Sequence, residues 1–194
     1  FVDPYVYFVP TINVAGGERH GEVLRFDTRL AFLAPGSWTT YDYGSDPQGC
    51  AAQESRIGSP CFDPDSYAHA VFDGRFIYFV PFNTNYQVPL SPFHGEVLRY
   101  DTTGAFQNAT SWATYDYSRD PLGCAQDPTC NDPTGFVGGV FDGRFVYFVQ
   151  EHCSSDPLFA CAGEMLRYDT TGSFTDASSW KTFDAGDHGV GTDP

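Results

Sequence analysis

The sequence predicts an all-β fold made of repeated antiparallel sheets, and three observations carry that prediction. One phrase is written three times: "GEVLRFDTRLAFLAPGSWTTYDY" over 21–43, "GEVLRYDTTGAFQNATSWATYDY" over 95–117 and "GEMLRYDTTGSFTDASSWKTFDA" over 163–185. A second phrase, "FDGRFIYFVP" over 72–81, returns as "FDGRFVYFVQ" over 141–150 and, degenerate, as "FVDPYVYFVP" over 1–10. The full unit is therefore about 70 residues long, the period of a structural array rather than of one irregular domain. The composition agrees: 18 Phe and 12 Tyr against a single Met, with 20 Gly and 14 Pro, suit aromatic strands joined by tight turns and leave little room for helix.

Each unit reads as four strands. The first is "YAHAVF" over 67–72 and "FVGGVF" over 136–141. Asp73–Gly74 and Asp142–Gly143 follow it and signal a two-residue hairpin turn. The second strand, "RFIYFVP", is a continuous apolar and aromatic run, suited to a sheet covered on both faces. "GEVLRYDT" supplies the third strand and "SWATYDY" the fourth. Residues 1–66 form a first unit that lacks its first strand, 67–135 a second, and 136–194 a third with a trailing linker. A four-stranded meander repeated about an axis is a β-propeller blade. Three blades are fewer than the four or so that close a ring, so the ring is expected to be completed by residues or chains outside this sequence.

The third unit, "GGVFDGRFVYFV … EMLRYDTTGSFTDASSWKTF", resembles a Kelch-type blade. It carries a double glycine (Gly138–Gly139), an aromatic strand, and Tyr168–Asp169 followed by Trp180 about a dozen residues on. The double glycine precedes the hairpin here, whereas Kelch blades place it after the aromatic strand. The units are also similar to the uncharacterised "FDGRYVYFVP…RYDT…SW" repeats of secreted bacterial proteins. Both resemblances imply a propeller.

Strand direction alternates along a meander, so the 1–2 and 3–4 connections emerge at one end of each sheet and the 2–3 and 4–1 connections at the other. Only the second group varies in length: 82–94 and 151–162, 44–66 and 118–135. All six cysteines lie there in close pairs, Cys50 with Cys61, Cys124 with Cys130 and Cys153 with Cys161, which reads as three local disulfides in an extracellular protein. No CxxC ligand pair favours zinc. A net charge of -15 disfavours nucleic acid and anionic membranes as partners. No apolar run is long enough to span a bilayer and no charged-then-apolar leader is present, so a secreted protein would have had its leader removed or lying outside these residues.

Arg25, Arg99 and Arg167 stand two residues before Asp27, Asp101 and Asp169, and their recurrence in every unit points to structural charge pairs rather than a ligand-gripping ring. Trp38, Trp112 and Trp180 recur likewise and read as packing residues. Glu22, Glu96 and Glu164 open the third strands, two of them after His20 and His94; a His and a Glu two apart on a strand share a face and can ligate a metal. The Asp-Pro-rich segments "GSDPQGC" and "SRDPLGC" supply oxygens that suit Ca²⁺, although they also suit plain turns and no EF-hand pattern is present. Asn108-Ala109-Thr110 is an N-glycosylation sequon on a 3–4 connection. "SFTDASSW" loosely resembles a sialidase Asp-box, itself a structural motif. No HExxH, GxSxG or P-loop occurs, and the sequence offers only weak catalytic candidates such as His69 and His152.

The expected function is a secreted, non-enzymatic propeller that binds a glycan or an extracellular protein on its disulfide-stapled loop face. A structural subunit of an extracellular matrix or filament, formed by self-assembly, is the alternative of a second class. A polysaccharide hydrolase or lyase is the third.

Overall fold

A computed structural model of the chain describes residues 1–11, 21–49, 66–82, 94–127, 130, 133–150 and 164–185. Among them the fold is all-β, with helix confined to three-residue 3-10 turns. The strands are β1 (Tyr5–Phe8), β2 (Val23–Asp27), β3 (Trp38–Tyr41), β4 (Tyr67–Phe72), β5 (Phe76–Pro81), β6 (Glu96–Asp101), β7 (Trp112–Asp116), β8 (Phe136–Phe141), β9 (Phe145–Gln150), β10 (Glu164–Asp169) and β11 (Trp180–Asp184). They form three antiparallel meanders: sheet 1 is β1-β2-β3, sheet 2 is β4-β5-β6-β7 and sheet 3 is β8-β9-β10-β11. The strands fall where the repeated phrases place them, and among the described residues the sheets do not close into a ring.

The hairpin turn sits one residue later than the sequence suggests. The closing hydrogen bond runs from the Asp73 amide to the Phe76 carbonyl at 3.2 Å, so the central pair is Gly74–Arg75 and not Asp73–Gly74. Only Gly74 has a positive φ (105°), as a glycine-first turn requires. Asp73 is left at the closing position, where its carboxylate accepts from the amides of Arg75 and Phe76 at 2.8 and 2.6 Å and from the Tyr78 hydroxyl at 2.8 Å. Asp142 repeats the arrangement with Arg144, Phe145 and Tyr147.

The 3–4 connection is equally regular. After each third strand, Thr28, Thr102 or Thr170 hydrogen-bonds through both amide and hydroxyl to the carbonyl of Pro4, Arg75 or Arg144. A single 3-10 turn then leads into the tryptophan that opens the fourth strand. Asn108 caps one such turn by accepting from the Thr110 amide, and Asp176 caps another from Ser178. Each indole N–H donates to the carbonyl of the phenylalanine six residues earlier: Trp38 to Phe32, Trp112 to Phe106 and Trp180 to Phe174, at 2.8–2.9 Å.

The sheets stack face to face in chain order. Every strand alternates its side chains between a front face, toward the preceding sheet, and a back face, toward the following one. The front face of sheet 2 carries Ile77, Phe79, Leu98, Tyr100 and Trp112; with Phe106 they are buried against Tyr41 and Val23 of sheet 1. Its back face carries Tyr78, Val80, Val97 and Tyr115, buried against Phe148, Leu166, Tyr168, Phe174 and Trp180 of sheet 3. Because β5 faces a sheet on each side, its run of apolar residues needs no alternation, as the sequence predicts.

Two identical hand-offs join the sheets. Tyr41 stacks on Trp112 with ring centroids 5.1 Å apart, and Tyr115 stacks on Trp180 at the same distance. Tyr7 meets Tyr100 at 5.8 Å, as Tyr78 meets Tyr168. Arg25 lies 4.2 Å over the Tyr5 ring of its own sheet and 4.3 Å over Phe106 of the next; Arg99 lies 4.3 Å over Phe76 and 4.1 Å over Phe174. Between the first strands of sheets 2 and 3, Gly139 lets β8 close on β4: a Cβ there would stand 2.9 Å from the Val71 methyl and 2.7 Å from the Tyr147 carbonyl. Close sheet packing thus requires the second glycine of the pair, whereas a Cβ on Gly138 would meet nothing within 4 Å.

Two outcomes follow. Phe106→Ala should lower unfolding stability by about 3–5 kcal/mol, because it empties a buried ring site, whereas Phe32→Ala, at the equivalent but exposed position, should cost well under half of that in urea titrations. Asp101, held at about 2 by its hydrogen bonds from Arg75, contributes stability that is complete above the ordinary carboxylate value near 4 and is lost as pH falls through 2. Asp101→Asn should therefore destabilise the protein at pH 6 and make little difference at pH 2, as measured by acid-dependent melting.

Candidate binding face at the variable end of the sheets

The variable segments leave and rejoin the sheets at one end. Where 82–94 departs and returns, the His94 amide donates to the Phe82 carbonyl at 3.4 Å and the Phe82 amide to the Ser66 carbonyl at 3.2 Å. The start of β4 is pinned by the Tyr67 amide on the Pro10 carbonyl at 2.8 Å, and Gly135, before β8, donates to the His94 carbonyl at 3.3 Å. The ends of four segments are thus gathered at one end of the sheets, opposite the invariant Gly74–Arg75 and Gly143–Arg144 turns.

The 4–1 segments are less variable than their lengths suggest, because they open on a shared turn. In "DPQGC" and "DPLGC" the aspartates Asp46 and Asp120 accept from the hydroxyls of Tyr41 and Tyr115 at 2.8 and 2.9 Å. Each carboxylate also accepts from the amide two residues on, and each carbonyl from Gly49 or Gly123. Those glycines lie under the preceding tyrosine: a Cβ on Gly49 would come 2.7 Å from the Tyr43 carbonyl oxygen, and one on Gly123 2.5 Å from that of Tyr117. The oxygens that suggest calcium are here engaged in turn hydrogen bonds. The matched Tyr…Asp-Pro-x-Gly-Cys spacing was the available signal for this turn.

Cys124 and Cys130 are disulfide-bonded, with Cα atoms 5.2 Å apart. A loop this short removes on the order of 2 kcal/mol of unfolded-state entropy. The bridge packs against the core between sheets 2 and 3 instead of projecting from the loop end. Within the loop it closes, Asp127 accepts from the Tyr117 hydroxyl at 3.2 Å and faces the Lys181 ammonium at 3.6 Å. A cleft of about 250 Å³ opens between this loop and residues 176–181, with Leu122 exposed on its rim. Cys50, Cys61, Cys153 and Cys161, and with them the other two expected disulfides, lie outside the described residues, as do His20 and His152.

Beneath the loops each complete sheet buries two facing carboxylates. Glu96 pairs in register with Asp116 across β6 and β7, and Glu164 with Asp184 across β10 and β11; all four are buried. Glu22, by contrast, is exposed and precedes β2. Burial pushes the Asp116 carboxyl above its ordinary range, opposed by hydrogen bonds from the Ser118 hydroxyl at 2.6 Å and amide at 3.0 Å and by Arg119 at 3.5 Å. Gly95 makes room for it, since a Cβ there would stand 3.0 Å from Asp116 Oδ1 and 2.7 Å from the Pro133 carbonyl. His94 is buried with Nε2 3.3 Å from the Ser66 carbonyl and its ring edge-on to Tyr67. Among the described residues no three His, Cys, Asp or Glu side chains converge as a metal site. His69 lies on β4, apart from these acids, beside Ala68, Ala70 and Phe1 at a groove between sheets 1 and 2.

The repeated Arg and Asp do not pair with each other. Asp101 binds Arg75 and Asp169 binds Arg144, both from the 1–2 hairpin turn at 2.7 and 2.6 Å, while Asp27 binds Arg29 at 2.6 Å. Pro4 occupies the position of Arg75 in the first unit, so the guanidinium is supplied instead from the loop two residues after the aspartate. Arg25, Arg99 and Arg167 are left to lie over aromatic rings. Trp112 and Trp180 stand at the sheet contacts already given, Trp38 packs against Phe8, Phe26 and Phe32 of its own unit, and Asn108 is exposed at the invariant end, its Oδ1 accepting from Thr110.

Since Asp116 holds its proton more tightly in the folded than in the unfolded chain, it favours folding below the ordinary carboxylate pKa and opposes it as pH rises through the raised value. Asp116→Asn, which keeps the acceptor for Ser118, should raise the melting temperature at pH 7 and leave it unchanged at pH 3. No protein-family model and no curated protein sequence matches this chain.

Proposed function

We propose that this chain is a secreted, non-enzymatic β-propeller module that binds an extracellular glycan or protein through the variable end of its sheets. The observation that carries the reading is the division of labour between the two ends. One end repeats its turns, caps and ion pairs unit by unit, while the other gathers every segment of unequal length over a rigid base. Three successive meanders packed front to back, with the same hand-off each time, support blades of a propeller in place of independent sheets. The Cys124–Cys130 disulfide supports an oxidising, extracellular setting. The buried Asp116 carboxylate is engaged by Ser118 and Arg119, which supports a structural base for binding rather than catalysis.

Among the described residues of that face, the cleft rimmed by Leu122 and Gln126 is open to a partner. Labelled protein applied to arrays of extracellular polysaccharides and secreted proteins should retain a hit. Leu122→Asp should weaken that hit at least tenfold with the melting temperature unchanged, and Asn108→Gln at the invariant end should leave it intact. Binding that survives Leu122→Asp and is lost with Asn108→Gln would place the site at the wrong end. Failure of the folded protein to retain any array member would remove the binding reading altogether.

A further inference from the structure

The two outer faces of the three-sheet stack are the two halves of the interface that the chain already builds twice inside itself. Sheet 1 turns its front face outward, and sheet 3 turns its back face outward. On the front face, Phe32 stands where Phe106 and Phe174 stand; it is 61% exposed, while each of those is 3% exposed. Phe8 stands where Phe79 and Phe148 stand, 42% exposed against 0% for both. Phe26, Phe32 and Trp38 nevertheless hold the arrangement seen in the buried clusters, with centroids 4.7–5.4 Å apart and the indole bonded to the Phe32 carbonyl. The acceptor half of the hand-off is thus assembled and uncovered.

The back face of sheet 3 shows the same mismatch between residue type and exposure. Val149 is 44% exposed where Val80 is fully buried, and Val140 is 57% exposed where Val71 is 6%. Arg167 lies 4.3 Å over Phe145, as Arg99 lies over Phe76, but the second ring that Phe174 provides for Arg99 has no counterpart among the described residues. Tyr147 holds its hydroxyl bond to Asp142, as Tyr78 holds its bond to Asp73, and is ready for the contact that Tyr78 makes with Tyr168.

We propose that a second copy of this chain occupies these faces, the back face of sheet 3 of one molecule docking on the front face of sheet 1 of the next, with Arg167 set over the Phe32 of its neighbour. The partner is a copy of this chain because the only surfaces seen to fit such a front face are the back faces of sheets 1 and 2, and sheet 3 presents the same set. Two front faces would put ring clusters together without the cation, and two back faces would put Arg167 against Arg167. The contact is therefore head to tail, so it propagates into a closed ring or an open filament and does not stop at a symmetric pair. It is weaker than the internal interfaces, because among the described residues sheet 1 has no strand to answer the contact that β4 makes with Gly139 of β8. With a net charge of -15 per copy, mutual repulsion opposes it, and salt that screens the repulsion strengthens it. This inference does not depend on the ligand reading of the loop end.

Sedimentation equilibrium of the purified chain, from micromolar to millimolar protein and at low and high salt, should show mass rising in whole multiples of 21.4 kDa. Phe32→Asp should abolish the front half and Arg167→Glu the back half, each weakening self-association by at least tenfold. Mixed together, the two variants should form a one-to-one pair and nothing larger, since each retains the half the other lacks. Val149→Asp serves as a second back-face variant if Arg167→Glu melts early. A monomer at every concentration and salt overturns the proposal. So does association that neither variant disturbs, or that only one of them disturbs, the signature of a face meeting itself.

Discussion

The fold depends on one interaction, the hand-off of an arginine and two tyrosines from the back of each sheet to a Tyr–Phe–Trp cluster on the front of the next. A three- or four-stranded meander cannot bury both of its faces alone, and among the described residues no α-helix lies across them. Each sheet is stable because it is the lid of its predecessor. Fully burying rings of this size is worth several kcal/mol each, and a desolvated arginine over a ring adds on the order of 1–2 kcal/mol. The exposed Arg75–Asp101 and Arg144–Asp169 bridges are worth about 1 kcal/mol or less. They tidy the invariant end; they do not hold the sheets together.

This ordering explains why one end of the molecule is repetitive and the other is not. The hand-off requires that Arg99 reach Phe174 and Tyr115 reach Trp180 in the same geometry as Arg25 reaching Phe106 and Tyr41 reaching Trp112. Phe106 and Phe174 sit in the 3–4 connection, so that connection cannot change length without moving the ring. Its caps at Asn108 and Asp176, and the threonine bonds to the opposing hairpin, hold it still. The hand-off residues named above all lie outside 82–94 and 151–162, the segments whose sequences differ. Even at the variable end the constraint reaches as far as Asp46 and Asp120, whose turns anchor the hydroxyls of the stacking tyrosines.

The same constraint links the stack's interior to its exterior. An interface built from unlike faces has no natural last member: every sheet that receives a neighbour also presents a surface for another. Exposure of Phe8, Phe32, Val140 and Val149 on the outer faces follows from repeating one interface, not from a defect in packing. Where such faces meet their complements, a repeat array becomes an assembly, and the loop ends of successive copies are brought side by side.

Much of this was legible in the sequence. The repeated phrases marked every described strand but left two details misread, the centre of the hairpin turn and the partners of the repeated arginines. Both misreadings have one origin. Asp-Gly and Arg-x-Asp are local patterns with a standard local meaning, and in each case a partner outside the pattern decided otherwise. The Tyr78 hydroxyl and the amides of Arg75 and Phe76 draw Asp73 to the closing position, while Arg75 takes Asp101 and leaves Arg99 to the rings. The period-2 and aromatic patterning by itself determined strands, sheets and their order, because those follow from which residues must avoid water. Tertiary structure alone decided which face of each sheet meets which, that the Cys124–Cys130 loop lies along the core, and that buried acids underlie the variable end. Those outcomes depend on side chains some 70 residues apart arriving at the same place, and no local pattern records that meeting.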